Sequence, residues 1–251
     1  MTDIAWRPPE TFEERVKRFL APPKLELARI VAREFKRGEP ELALAPYLVD
    51  PARAAIDVGA NRGIWSHVLA RHCPNVFAFE CNPKLFRVLA AAAPRNVEAL
   101  PFALSDGDGA ASLFVPGAGR RFSNQGASLS ACKVEGEAHA VVAVQRRRLD
   151  SFDLPPIGFI KIDVEGHELS VVRGAQALIA RDRPTLIVEI EERHAKRPLA
   201  ESIGEICTLG YRMMFLGEHG LEDAARFNLA APETMRSARG LQVNNFIFMP
   251  V

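Results

Sequence analysis

From residue 52 onward, short apolar runs alternate with stretches in which apolar residues recur at helical spacing. The runs at 54–58, 75–80, 97–103, 157–164 and 185–190 read as buried strands, several too continuously apolar to have a solvated face. Between them, positions such as Ile64, Trp65, Val68 and Leu69 share one helical face, which predicts helices over 64–72, 83–93, 168–181 and 199–209. Asn82 is placed to cap the second of these, with Pro83 in its first turn. Runs at 211–216 and 245–249 close the pattern, and 111–115 with 140–145 read as added strands. Repeated strand–helix alternation predicts an α/β fold with a doubly wound, mostly parallel sheet.

The first 50 residues follow a different pattern. Thr11 is placed to cap a helix through 15–20, with Glu13 and Glu14 near its positive end, and Pro22-Pro23 breaks it. A second helix is expected over 24–36, with Gly38 just past its end, followed by an apolar piece at 42–49. The expected organisation is an N-terminal helical extension, 1–50, ahead of one main domain, 51–251. The extension either covers the site of that domain or forms the contact of a homo-oligomer. Residues 116–139, rich in Gly and Ser, form a long polar loop that reads as a substrate-side loop or, equally, as a surface insertion.

Charge narrows the partners. Lys and Arg total 32 against 31 Asp and Glu, which gives no electrostatic reason to expect nucleic acid or an anionic membrane. The four cysteines are scattered with no C-x-x-C, so neither a zinc knuckle nor a redox motif is expected and a reducing, cytoplasmic setting fits. No signal-peptide pattern opens the chain, and no apolar run approaches the ~18 residues of a membrane span.

The chemistry concentrates at strand ends. Asp57-Val-Gly-Ala-Asn-Arg-Gly63 ends a strand, makes a glycine turn and opens a helix, which is how an α/β sheet builds a nucleotide site. A dinucleotide fingerprint would carry glycine where Asn61 stands. Its absence weakens NAD and leaves room for a smaller ligand such as S-adenosylmethionine. Gly59 and Gly63 allow close backbone approach, Asn61 offers donor and acceptor, and Asp57 either holds the turn or meets a ligand ammonium. Glu80, ending the second strand, is placed to accept the two hydroxyls of a ribose. Asp106 follows the third strand, where it either meets an adenine amino group or starts a turn at Asp-Gly. At the end of the fourth strand Asp163, Glu165, His167 and Glu168 crowd together, and the first three are candidate acid–base groups. Glu189, Glu191, Glu192 and His194 either line an acceptor pocket or form a solvated turn.

Taken in order, Asp57-Val-Gly-Ala-Asn-Arg-Gly63, Phe79-Glu-Cys-Asn-Pro83, Ala103-Leu-Ser-Asp106, Lys161-Ile-Asp-Val-Glu-Gly-His-Glu168 and Asn244-Asn-Phe-Ile-Phe248 resemble the FkbM family of S-adenosylmethionine-dependent methyltransferases. The resemblance implies a seven-stranded class I methyltransferase (Rossmann-like) sheet with an antiparallel last strand. It implies methyl transfer to a hydroxyl oxygen of a small-molecule acceptor, a sugar or natural product. By the same resemblance Gly59, Asn61 and Gly63 contact the methionine part, Glu80 the ribose and Asp106 the adenine, with Asp163 and Glu165 near the reacting methyl. No spacing is diagnostic of a metal, so none is assigned. Two rival readings share the fold: an NAD-dependent sugar-modifying enzyme, and a catalytically silent ligand-binding protein.

Overall fold

The computed structural model describes residues 22–118, 121–122, 127–129, 139–195 and 197–251. The helix expected at 15–20 and much of the polar loop at 116–139 lie outside them. The strands are β1 (Ala54–Val58), β2 (Val76–Phe79), β3 (Val97–Leu100), β4 (Phe102–Leu104), β5 (Gly109–Ala118), β6 (Arg121–Phe122), β7 (His139–Arg147), β8 (Ile157–Ile162), β9 (Thr185–Glu189), β10 (Tyr211–Gly217), β11 (Gly220–Asp223) and β12 (Asn245–Pro250). The helices are α1 (Pro23–Arg37), α2 (Ala45–Leu48), α3 (Ile64–Leu69), α4 (Pro83–Ala92), α5 (Glu168–Arg173), α6 (Gln176–Asp182), α7 (Glu192–Ala195) and α8 (Leu199–Cys207).

The main sheet runs in the order β11-β10-β12-β9-β8-β1-β2-β3. Strands β3, β2, β1, β8 and β9 are mutually parallel, and β12 is antiparallel to both β9 and β10. Seven of these strands therefore have the class I methyltransferase order, with the last strand inserted antiparallel. The eighth, β11, returns from β10 as a hairpin edge, alternately half-buried and exposed, a pattern too short and polar to read as a strand beforehand. Chain direction reverses its progress across the sheet between β1 and β8, so the cleft of a doubly wound fold opens at their carboxyl ends.

Period-two alternation assigns side chains to the two faces of the sheet. Ile56, Val58, Ile160, Ile162, Leu186, Val188, Phe246 and Phe248 pack with α5, α6 and α8 through Val171, Val172, Leu178, Ile179, Ile203 and Ile206. Ala55, Ala78, Phe159, Ile187 and Ile247 face the other way, toward Leu27 and Val31 of α1, Leu42, Ala45, Leu48, and Trp65, Val68 and Leu69 of α3. The segment before β1 thus packs into one of the two apolar layers of the sheet.

Two expected elements divide. The run at 97–103 breaks at Pro101, which has no N–H for a ladder. Residues up to Leu100 stay in the main sheet, while β4 pairs with β7 in a small second sheet of order β4-β7-β5-β6. That sheet has its own core of Ala103, Leu113, Val115, Val142 and Val144. The helix expected at 168–181 breaks between Arg173 and Gln176. A Cβ on Gly174 would stand 1.9 Å from the Ser105 carbonyl oxygen, so the chain passes there as glycine. Asp150 then caps the new helix from a distance, accepting from the N–H groups of Ala177 and Leu178 at 2.9 Å each. Asp150→Ala should lower the unfolding free energy in urea by about 1 kcal/mol, and Gly174→Ala by about 1–3 kcal/mol. A silent Asp150→Ala would mean that the break is set by Gly174 packing alone.

Candidate active site

One cleft of about 740 Å³ opens at the carboxyl edge of β1, β2, β8 and β9. Its lining includes Asp57, Gly59, Asn61, Glu80, Asp163, Glu165 and His167. Of the residues marked by sequence, Gly63, Asp106, Glu168, Glu191, Glu192 and His194 are not on its walls, so of the group considered for an acceptor pocket after the fifth strand only Glu189 lines it.

The glycine turn and Glu80 form one built unit. Gly59 and Ala60 donate their N–H groups to the Phe79 carbonyl, which bends the chain off the end of β1. Gly59 has φ +79, and a Cβ there would lie 1.9 Å from the Asp163 carbonyl oxygen, so no larger residue fits. Asn61 also has positive φ and points its N–H at Glu80 Oε2 (2.8 Å), while Asn82 N–H meets Oε1 (2.7 Å). Each carboxylate oxygen of Glu80 keeps further acceptor capacity toward the cleft. Burial pushes Glu80 up to about 7, against the pull of those two N–H groups. Gly63, at φ +88, is the residue from which α3 starts. Asp57 lies buried below the turn, accepts from the Ser66 hydroxyl, and is pushed up by burial to about 6.

The acidic cluster after β8 separates into three sets of contacts. Asp163 and Glu189 share a hydrogen bond, and burial raises both, Glu189 to about 9. The pair therefore keeps a proton well above the ordinary carboxyl range, held between the two groups. Glu165, at φ +57, turns its carboxylate to His194 Nδ1 at 3.0 Å. His167 faces away from Asp163: its Nε2 lies 2.9 Å from Ser105 Oγ, whose own hydrogen goes to Asp106. His167 Nε2 is then the donor, its charged form is disfavoured by burial, and the charges of Asp106 and Arg146 act on it in opposite directions. The expected acid–base trio is therefore not one constellation. Asp106 is exposed and joins this Ser105–His167 chain from outside the cleft.

Sequence reading passed over Lys161. It is fully buried, lines the cleft, and donates from Nζ to Asn245 Oδ1 at 2.7 Å. Glu39 Oε2 and Glu189 Oε2 each lie 3.9 Å from Nζ, and the Trp65 ring sits 5.7 Å away. A lysine inside the apolar run of a central parallel strand was the available signal, since such a position has no solvent to reach. Glu39 carried no comparable signal. Among the described residues no group of three or more His, Cys, Asp or Glu is arranged to hold a metal.

Residues 57–213 match the family model described as the methyltransferase FkbM domain. The chain belongs to the FkbM methyltransferase family. S-adenosylmethionine is accordingly the cofactor of this fold, and the cleft has the chemistry for it: the Glu80 carboxylate with spare acceptors beside the glycine turn. Over 125 residues the chain is 31% identical to the hexuronic acid methyltransferase AglP of Haloferax volcanii. That match covers 47% of this chain and 48% of the relative, so it spans about half the length of either. Among solved structures, methyltransferase FkbM of Methylobacillus flagellatus aligns with a TM-score of 0.48 at 14% identity over 79% of this chain and 44% of that one. A TehB-like SAM-dependent methyltransferase of Corynebacterium glutamicum aligns with a TM-score of 0.45 at 10% identity over 90% and 97%. Scores at this level add nothing to the strand order, on which the fold assignment rests. No helix among the described residues is long and apolar enough to cross a membrane.

The raised carboxyls make stability pH-dependent. The unfolded chain releases the protons of Glu41, Glu80, Glu168 and Glu189 near 4.5, whereas the folded chain keeps them to about 7, and to about 9 for Glu189. The folded state binds more protons in between, so their contribution is fully present at acid pH and lost as pH rises. His67 and His167, lowered by burial from 6.5, act oppositely only below that value. The thermal midpoint should therefore fall steadily from pH 6.5 to 9, and Glu189→Gln should flatten the upper part of that fall. A midpoint flat over this range in the parent protein would contradict the assignment.

Proposed function

We propose that the cleft transfers a methyl group from S-adenosylmethionine to a hydroxyl oxygen of a sugar acceptor. The observation that carries this reading is that Glu80 and the Asp163–Glu189 pair face one cleft across the glycine turn. In this reading Gly59 and Asn61 present backbone to the methionine part, Gly63 shapes the turn, and Asp57 receives the ammonium through the turn. Glu80 accepts the ribose hydroxyls. The Ser105–His167 pair, with Asp106 behind it, borders the adenine end. Bound there, S-adenosylmethionine supplies a methyl group on a sulfonium sulfur that keeps the electron pair of the broken bond.

The residues of the chain have two tasks. They hold the acceptor oxygen in line with the methyl carbon, which is a positioning task. They also remove the hydroxyl proton: Asp163 takes it as the oxygen–carbon bond forms. Glu165, held by His194, borders the acceptor side rather than sharing that proton. Among possible oxygen acceptors, a hydroxyl suits this cleft better than a carboxylate. Asp57, Glu39, Asp163, Glu165 and Glu189 all line it, with Lys161 buried among them, so a second anion entering would be repelled. The sugar is supported by the name of the relative, a hexuronic acid methyltransferase.

Calorimetry with S-adenosylhomocysteine and NAD, followed by methyl transfer from labelled S-adenosylmethionine to a panel of neutral and uronic glycosides, tests the reading. S-adenosylhomocysteine should bind and NAD should not. Glu80→Ala should weaken binding by about 2 kcal/mol, roughly 30-fold. Asp163→Asn should keep that affinity and slow turnover roughly 10²- to 10⁴-fold. Undiminished turnover in Asp163→Asn would remove it as the base, and preferential NAD binding would sink the methyltransferase reading.

A further inference from the structure

Lys161 is held by residues that lie on both sides of the family domain. The FkbM match spans 57–213, yet Asn245 and Glu39, which meet the ammonium, lie beyond its two ends. Glu39 is itself fixed from two directions: Trp65 Nε1 donates to its Oε2 at 3.0 Å and Asn245 Nδ2 at 3.3 Å. The one short bond of the ammonium goes to Asn245, while Glu39 and Glu189 both stand 3.9 Å off, too far for direct hydrogen bonds and close enough for strong charge coupling. The carboxyl groups of Glu39, Glu189 and Asp163 surround the single Lys161 ammonium, so the balance of charge in the group leans negative. That charge lines the cleft in which a sulfonium would lodge.

We propose that Glu39 is a positioning residue of the active centre, acting through the Lys161 ammonium and on the Asp163–Glu189 pair to set the charge that the cleft presents to a sulfonium. This rests on the S-adenosylmethionine reading above. Glu39 works against protonation balance in a defined direction: its charge raises both carboxyls, while Lys161 lowers them. The other ionisable groups coupled to the pair or to Lys161 are Glu165 from the loop after β8, Glu168 at the start of α5, Asp57 from β1, Glu80 just after β2, Glu41 near Lys161, and Arg193 of α7. Their contributions are common to parent and variant.

Paired calorimetric titrations with S-adenosylmethionine and S-adenosylhomocysteine across pH read this charge directly, because the ligands differ by one methyl and one positive charge. In the parent protein the preference for the sulfonium should rise with pH as the pair ionises. Glu39→Gln keeps an amide oxygen for Trp65 and Asn245 and removes only the charge. It should leave S-adenosylhomocysteine affinity within about twofold, cut the high-pH sulfonium preference about five- to thirty-fold, and lower the midpoint by roughly 0.5–1 pH unit. Lys161→Met should move both quantities the other way; if it does not fold, Glu39→Gln decides alone. An unchanged preference and midpoint in Glu39→Gln, with only a lower melting temperature, would show Glu39 to be a structural tie and overturn its role. A parent protein that binds neither ligand would instead overturn the methyltransferase reading and this role with it.

Discussion

The structure depends on a charged ammonium being kept inside a sheet. Lys161 sits one residue from the carboxyl end of β8 with no solvent contact, and burying a charge is tolerable only with counter-charge and hydrogen bonds in place. Strand register supplies most of them. Asp57 pairs with Lys161 across β1 and β8, and Glu189 pairs with Asn245 across β9 and β12. By alternation all four point to the sheet face covered by the N-terminal helices, and all lie at the edge where the cleft opens. The covering layer adds Glu39 and Trp65. A buried ion cluster of this kind is weak evidence for stability, since apolar residues of similar volume commonly do as well. Its position against the cleft gives it a chemical reason to exist.

The same edge stores backbone strain. Three non-glycine residues among those described have positive φ, and two of them, Asn61 and Glu165, stand in the loops that follow β1 and β8. Asn61 is held by Glu80 through its N–H, and Glu165 by its carbonyl accepting from Ser128 Oγ at 2.7 Å. Such conformations persist where surrounding contacts over-determine them and gather at functional sites. Here one loop is locked by a cleft carboxylate and the other by a residue bridged to the small sheet through Phe114. The two walls of the cleft are therefore coupled to different parts of the molecule, the cofactor wall to the main sheet and the opposite wall to β5.

How much could be read in the sequence follows from which interactions are local. The alternation of β and α elements, the glycine turn and Glu80 are fixed by neighbours in the chain, and each lies where the pattern placed it. The breaks at Pro101 and Gly174 were visible as residues but not as boundaries. Gly174 matters because Ser105, far away in sequence, passes against it, and the cap of α6 comes from Asp150. The same limit applies to the acidic run at 163–168. Spacing grouped Asp163, Glu165 and His167 as one constellation, whereas backbone direction after β8 sends them to Glu189, His194 and Ser105 respectively. The apolar run around Lys161 marks that lysine, but its meeting with Glu39 comes from sheet register and helix packing, which no local pattern encodes.

The charge of the cleft constrains what can enter it. On the proposed reading a sulfonium is drawn to a wall where carboxyl groups outnumber the Lys161 ammonium, and departure of the methyl group leaves a neutral thioether that the same wall holds less well. Release of the product is thus assisted by the electrostatics that favour the cofactor. The acceptor meets the opposite condition. On the same reading it enters a carboxylate-lined cleft whose walls also carry the exposed Arg33 and Arg62, so charge on a remote part of a sugar is tolerated while the reacting oxygen must arrive neutral. An acceptor that delivers a hydroxyl to Asp163 meets that requirement, and proton removal at the moment of transfer turns the excess negative charge of the wall from an obstacle into the driving group.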